Sequence, residues 1–238
     1  MVTKKKGTLF LIPVPLLAGK PHDFLPAAAI QAILSLRVFI VEDIRSARRF
    51  LRAVGYTGDF GAVIFHVLNE HTRPEELSDM LNDMYNGIDT GLLSETGAPC
   101  VADPGNLVVA AAHRHEIKVI PLTGPSSLLL ALMASGFNGQ HFVFHGYLPV
   151  KNPGRINKIK EIEAEAYRRD QTQIFIETPY RNDNLLQSLV HTCREQTLLC
   201  VACNLGSHNE LIISKPMLWW KSNQPDIHKK PAVFLLYR

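Results

Sequence analysis

Short apolar runs without alternation, separated by segments with a repeat of three to four residues, fill the first half of the chain. The runs at 8–14, 38–41, 62–65, 91–94 and 117–120 predict strands, and the segments 23–34, 44–54, 74–85 and 104–116 predict helices. In 44–54, Ile44, Ala47, Leu51 and Val54 recur on one helical face, which turns Arg45, Arg48, Arg49 and Arg52 outward. Pro74 stands in a first helical turn, where its missing N–H removes no intrahelical bond. Strands apolar on both faces, each followed by a helix, predict a parallel sheet covered on both sides. This pattern gives a doubly wound α/β domain over residues 1–122.

The pattern changes after that point. A helix is expected at 126–135, a strand at 142–144, a charged helix at 155–169, a strand at 173–176 and a helix at 182–193. Strand-like runs at 198–203, 210–213 and 232–237 close the chain. Late strands with fewer helices predict a second α/β domain with a mixed sheet over 123–238. Residues 119–150 carry no Asp, Glu, Lys or Arg, but Pro121, Gly124, Pro125 and Gly136 interrupt them. The longest clean apolar part is about half a membrane span, so the segment reads as the interior of a soluble protein. Lys4, Lys5 and Lys6 precede an apolar run that Pro13 and Pro15 end too early for a signal peptide. A reducing cytoplasm is the expected location.

With 46% hydrophobic and 20% charged residues among 238, disorder is excluded. A formal net charge of +3 tolerates an anionic partner without demanding one. The four cysteines are too few and too irregularly spaced for a disulfide framework. Cys200 and Cys203 have C-x-x-C spacing, yet on a strand residues three apart face opposite sides, so their thiols should diverge. His113 and His115, two apart on a helix, cannot face one metal, and no metal site is expected.

There is no G-x-G-x-x-G after the first strand, no P-loop, no G-x-S-x-G and no H-E-x-x-H. The informative segment runs from Ser94 through Glu95, Thr96, Gly97, Ala98 and Pro99 to Asp103, Pro104 and Gly105. It leaves a strand and opens a helix, where α/β domains bind ligands. Its amides and the helix dipole suit a carboxylate or phosphate. A second such turn, Thr123-Gly124-Pro125-Ser126-Ser127, follows the fifth strand.

These loops, S-E-T-G-A-P-C-V-A-D-P-G and T-G-P-S-S, resemble S-D-A-G-T-P-x-x-S-D-P-G and P-G-P-S-A. Those strings belong to the small-subunit ribosomal RNA 2′-O-methyltransferase I family, within the tetrapyrrole-methylase superfamily. The order continues with Gly7-Thr8-Leu9-Phe10, Glu42-Asp43-Ile44-Arg45, and His66 with Asn69 and Glu70. Gly146-Tyr147-Leu148-Pro149 and Glu177-Thr178-Pro179-Tyr180-Arg181 complete it, so the resemblance spans nearly the whole chain.

The resemblance implies two α/β domains, a homodimer, and S-adenosylmethionine (SAM) folded in the cleft between the domains, with no metal. Carried over by position, the cofactor meets Pro13, Pro15, Ser94, Glu95, Gly97, Ala98, Ser126, Ser127 and Glu177, with Ala202, Pro231 and Ala232 near adenine. Ribosomal RNA or the small-subunit particle is the implied acceptor. Arg45, Arg48, Arg52, Lys151 and Arg181 are candidate substrate contacts, and Glu42, Asp43 and His66 are candidates to orient or deprotonate the acceptor. The arginine face, and Lys151, Arg155, Lys158 and Lys160, read equally as phosphate contacts or solvated surface. Trp219-Trp220 reads as packing before base stacking. The chain also diverges. Val14-Pro15-Leu16-Leu17 lacks the family's glycine and asparagine, and Cys203-Asn204-Leu205-Gly206 stands where R-E-L-T is common. A small-molecule, tetrapyrrole-like methylase and a SAM-binding paralogue without turnover therefore stay open as alternatives.

Overall fold

Five strands build the first sheet: β1 (Thr8–Ile12), β2 (Val38–Val41), β3 (Ile64–Val67), β4 (Thr90–Leu93) and β5 (Lys118–Pro121). The computed structural model describes residues 5–17, 20–69 and 72–238, so Lys4 and Glu70 of the sequence reading lie outside the described residues. All strand pairs in this sheet are parallel, in the order β3-β2-β4-β1-β5. The connecting helices are α1 (Ala27–Ser35), α2 (Ile44–Ala53), α3 (Pro74–Tyr85) and α4 (Gly105–Arg114).

Right-handed crossovers fix the faces. The steps β1 to β2 and β2 to β3 run one way along the sheet, and the steps to β4 and β5 run the other way. Accordingly, Ile30, Ile33, Phe50 and Leu51 of α1 and α2 pack with Ile12 and Phe39 on one face. Met80, Met84, Val108 and Ala112 of α3 and α4 pack with Leu9 and Ile40 on the other. Phe39 and Ile40 are adjacent, so the period-2 alternation of β2 serves two cores and explains its unbroken apolar sequence.

The second sheet contains β6 (Phe142–Tyr147), β7 (Thr172–Ile176), β8 (Leu198–Cys203), β9 (Leu211–Pro216) and β10 (Ala232–Tyr237), ordered β6-β7-β10-β8-β9. Only β6 and β7 are parallel, and the other three pairs are antiparallel. The expected mixed sheet is what the structure shows. Helices α6 (Gly154–Arg169) and α7 (Asn182–Thr192) and the short α8 (Met217–Trp220) bury Ile159, Leu185, Leu189 and Trp220 against Phe175, Phe234 and Val201. The helix α5 (Ser127–Ser135) packs against β8, β9 and β10. Chain contacts divide into two units, the first ending at Ser126 and the second running from Ser127 to Arg238.

Cys203 packs in the core with Phe175 and Phe234, while Cys200 is absent from that cluster. Cys200 is fully buried, and both thiols are free. They diverge as strand geometry requires. Trp220 is fully buried, its indole N–H donating to the carbonyls of Leu199 and Lys215, and its ring meets Trp219 edge-on. Among the described residues, no helix is long and apolar enough to cross a membrane.

Candidate active site

β1 and β4 are neighbours whose onward connections run in opposite directions, so the loops after them part toward opposite faces. Such a switch point opens a crevice at the carboxyl ends of the strands. The loop after β1 is Pro13-Val14-Pro15, and the loop after β4 begins at Ser94. The two are stitched together. Val14 and Gly97 exchange N–H···O bonds of 2.9 Å in both directions, and Ser94 Oγ donates to the Gly97 carbonyl at 2.9 Å. Gly97 adopts φ +74, a left-handed conformation that glycine takes without a Cβ penalty. The loop after β5 closes on the same place. A β-carbon at Gly124 would lie 2.2 Å from Pro13 Cγ and 3.1 Å from Leu25 Cδ2. Pro13, Pro15, Ser94, Glu95, Gly97, Ala98 and Ser126 are thus all on loops that leave this edge of the sheet.

The structure corrects one expectation here. The amides of Cys100 in the loop and of Gly105 at the start of α4 already hold a carboxylate, and it is the chain's own. Cys100 and Ala102 adopt left-handed φ values of 67 and 63, and this loop aims the Cys100 N–H at both oxygens of Asp103, each at 2.9 Å. Gly105 N–H donates to Asp103 Oδ1 at 2.8 Å. Two left-handed residues without glycine's freedom are costly, and the Asp103 bonds offset part of that cost. The same carboxylate bears on its neighbours. Burial and, secondarily, Asp103 push the Cys100 thiol up to about 11, which removes it as a nucleophile.

Glu42 follows β2 and accepts from the Glu95 N–H at 3.4 Å. It lines a pocket of about 30 Å³ with Val14, Asp43, Ser46, Ser94 and Glu95. That is room for a water or two. Partial burial, reinforced by the charge of Asp103 and more weakly by Glu95, holds the Glu42 carboxyl above its ordinary range, against the opposing pull of the Glu95 amide.

The other two acid–base candidates have partners of their own. Asp43 caps α2, its Oδ1 accepting from Ser46 N–H at 2.7 Å, and this bond holds its carboxyl below the ordinary value. His66 lies within β3, and its Nε2 is 2.8 Å from Asp83 Oδ2 on α3. Glu42 combines a place in a pocket with a raised pKa.

In the second unit, Glu177, Ala202, Pro231 and Ala232 come to one end of the sheet. Glu177 follows β7, Ala202 lies near the end of β8, and Ala232 opens β10 opposite Cys203. Ala202 itself is wholly buried. Ser127 is the first residue of α5. Arg181, a candidate substrate contact, grips Glu177. Its Nε and Nη2 donate to Glu177 Oε1 at 2.9 and 2.6 Å, and Thr178 N–H donates to the same oxygen at 2.7 Å. This leaves Glu177 Oε2 buried without a donor, as is Asn182 Oδ1 nearby in sequence. Lys151 is exposed, whereas Arg155 is buried and holds the carbonyls of Pro149 and Val150.

Sequence reasoning missed the Val14–Gly97 stitch, the Asp103 clamp and the Arg181–Glu177 pair. The last had a signal, opposite charges four residues apart, masked by Pro179 between them.

No family model matches the chain. A ribosomal RNA small subunit methyltransferase I from Xylella fastidiosa is 31% identical over 87% of this chain and 71% of its own length. One of the same name from Synechocystis is 30% identical over 86% and 69%, and one from Escherichia coli O157:H7 is 27% identical over 97% and 78%. Among solved structures, the methyltransferase CobJ matches with a TM-score of 0.64 at 15% identity, covering 98% of this chain and 94% of that one. The cobalt precorrin-4 methyltransferase CbiF matches with 0.59 at 13%, covering 97% and 94%. The fold is that of the tetrapyrrole methylases, and the chain is a methyltransferase dependent on S-adenosylmethionine. It belongs to the ribosomal RNA small subunit methyltransferase I family.

The residues present fit that cofactor. SAM carries an ammonium, ribose hydroxyls and an adenine amino group, and a buried carboxylate oxygen without a donor needs such a partner. Glu177→Ala is therefore expected to weaken SAM binding at least tenfold, the scale of a lost hydrogen bond to a charged group, about 1.5–3 kcal/mol. Arg181, part-exposed at 34%, can turn to solvent, so the fold should survive. Calorimetric titration of the folded variant with SAM decides this, and unchanged affinity would remove Glu177 from the site.

Proposed function

We propose that this chain transfers a methyl group to a ribose 2′-hydroxyl of small-subunit ribosomal RNA, in the cytoplasm. The observation that carries the reading is the near full-length likeness to relatives named for that RNA. When bound, S-adenosylmethionine supplies an electrophilic methyl on a sulfonium centre. The chain's tasks are then to align the acceptor and to receive its proton, and alignment supplies much of the acceleration. Glu42 takes the proton of the hydroxyl as the oxygen–methyl bond forms. Its raised pKa makes it a better base than an ordinary carboxylate, and its place beside the crevice loops supports the role. Asp103 reinforces that effect of burial by repulsion while its own oxygens stay on the amides of Cys100 and Gly105. Pro13, Gly97 and Gly124 hold the loops around the reacting groups.

Incubation of isolated small ribosomal subunits with methyl-labelled SAM and the purified chain tests the reading. Label in a 2′-O-methylnucleoside after digestion is expected. Label refused by the RNA and accepted by a tetrapyrrole would favour the small-molecule alternative instead.

A further inference from the structure

Helix α2 has the sequence IRSARRFLRA, four arginines and no acidic residue. Arg45, Arg48, Arg49 and Arg52 fall within about a third of the helix circumference and span about 10 Å along its axis. They stand three and four residues apart, the spacings at which like charges repel. All four are exposed, and among the described residues none is ion-paired. Arg45 bears on the capping carboxylate of Asp43, and the mutual repulsion along this face is relieved when an anion binds to it.

Two of the four are held in place. The guanidinium of Arg52 lies 4.4 Å from the centroid of the Phe60 ring, and that of Arg48 lies 5.8 Å from Phe60 and 5.4 Å from Phe65. The rings are themselves stacked in depth: Tyr56 lies under Phe60 at 5.6 Å, and Phe39 under Phe65 at 6.0 Å. Arg52 also donates to the Tyr56 carbonyl at 3.1 Å. Long side chains that would otherwise lose rotamer freedom on binding are already ordered. A guanidinium held beside an aromatic ring by its carbon keeps the N–H groups it does not spend elsewhere, as Arg52 spends Nη1 on Tyr56, for the charge-assisted bonds that phosphate accepts. The helix begins two residues after Glu42, so the stripe starts beside the crevice.

We infer that this face of α2, with Phe60 and Phe65 beneath it, binds the phosphate backbone of the RNA acceptor outside the catalytic crevice. The inference rests on the RNA reading above and assigns a second point of contact. Arg45 and Arg49 supply charge, while Arg48 and Arg52 supply pre-ordered geometry. An anionic membrane surface would meet the same charges, and vesicle binding is therefore one arm of the test.

The test is binding of a small-subunit ribosomal RNA transcript across a potassium chloride series. Each phosphate contact contributes about 0.7–0.9 to the slope of log affinity against log salt. The pair Arg45→Gln and Arg49→Gln should flatten that slope by about 1.4–1.8, with SAM affinity unchanged. The pair Arg48→Lys and Arg52→Lys keeps the charge and loses the stacking, so the slope should hold while affinity falls several-fold. Equal slopes for wild type and the glutamine pair overturn the inference, even if methyl transfer to RNA is intact. Binding to phosphatidylserine vesicles with indifference to the RNA also overturns it. A flattened slope without any methyl transfer to RNA leaves this surface standing and refutes the assigned reaction.

Discussion

Glu42→Gln is expected to lower kcat for methyl transfer by about 10²–10⁴, the usual contribution of a positioned base, with SAM affinity nearly unchanged. Glutamine keeps the shape and an acceptor for the Glu95 N–H but cannot take a proton. Two pH measurements separate this role from a structural one. In the wild type, the acidic limb of kcat/KM should lie above the ordinary glutamate value of 4.5, since Glu42 must be ionised to act. The limb should vanish from the residual activity of the variant.

Stability should move the opposite way. A carboxyl whose folded pKa is raised keeps its proton in the native state after the unfolded chain has lost it. Its contribution therefore falls as pH rises from 4.5 through the raised value. Glutamine removes that penalty, so Glu42→Gln should melt higher than wild type at neutral pH and equally below pH 4.5. A variant less stable at neutral pH would show that Glu42 holds the fold rather than the proton.

The second large effect is at Gly124. Alanine there would place its β-carbon 2.2 Å from Pro13 Cγ and 2.5 Å from Pro13 Cβ. A proline ring cannot swing aside, so the β1 loop must shift, and Val14 carries that shift to Gly97 through their paired bonds. Overpacking of this kind costs about 1–3 kcal/mol, or roughly 2–4 °C in Tm for each kcal/mol in a chain of this size. Binding of SAM should fail along with it. Gly139→Ala, with nothing within 4 Å of its β-carbon, is the matched control and should change neither. Adding Pro13→Gly to Gly124→Ala removes the clashing atoms and should recover part of the loss. Additive losses in the double variant would mean that the contact is not the cause. Gly97 is a poorer probe of binding. Its φ of +74 strains any side chain whether or not a ligand approaches.

The apolar pattern placed most elements well because it reports burial directly. The runs 38–41 and 198–203 and the proline-led helix 74–85 match β2, β8 and α3. Errors arose where a short-range bond moved a boundary. The strand expected at 62–65 begins at Ile64, because Asp59 caps a 3₁₀ turn over Phe60–Ala62. The helix expected from residue 23 breaks into a turn at Pro21–Asp23 and α1 from Ala27, since Pro26 is extended at ψ 148. The four-residue α8 is too short to show a period.

The site divides in the same way. Glycines and prolines of the loops stood out in the sequence because they punctuate the elements, but their partners, Val14 for Gly97 and Pro13 for Gly124, lie far along the chain. The tasks of Asp43, His66, Asp103 and Arg181 were not legible, because a side chain's partner depends on what the fold brings beside it. Asp83 is 17 residues from His66, and no local pattern announces that pair.

Mapping of 2′-O-methylation across small-subunit ribosomal RNA, in cells with the gene, without it, and with Glu42→Gln in its place, tests the central claim most directly. One ribose methylated only in the presence of the unaltered gene is the expected result. A methylation map identical in all three strains would contradict the assigned substrate.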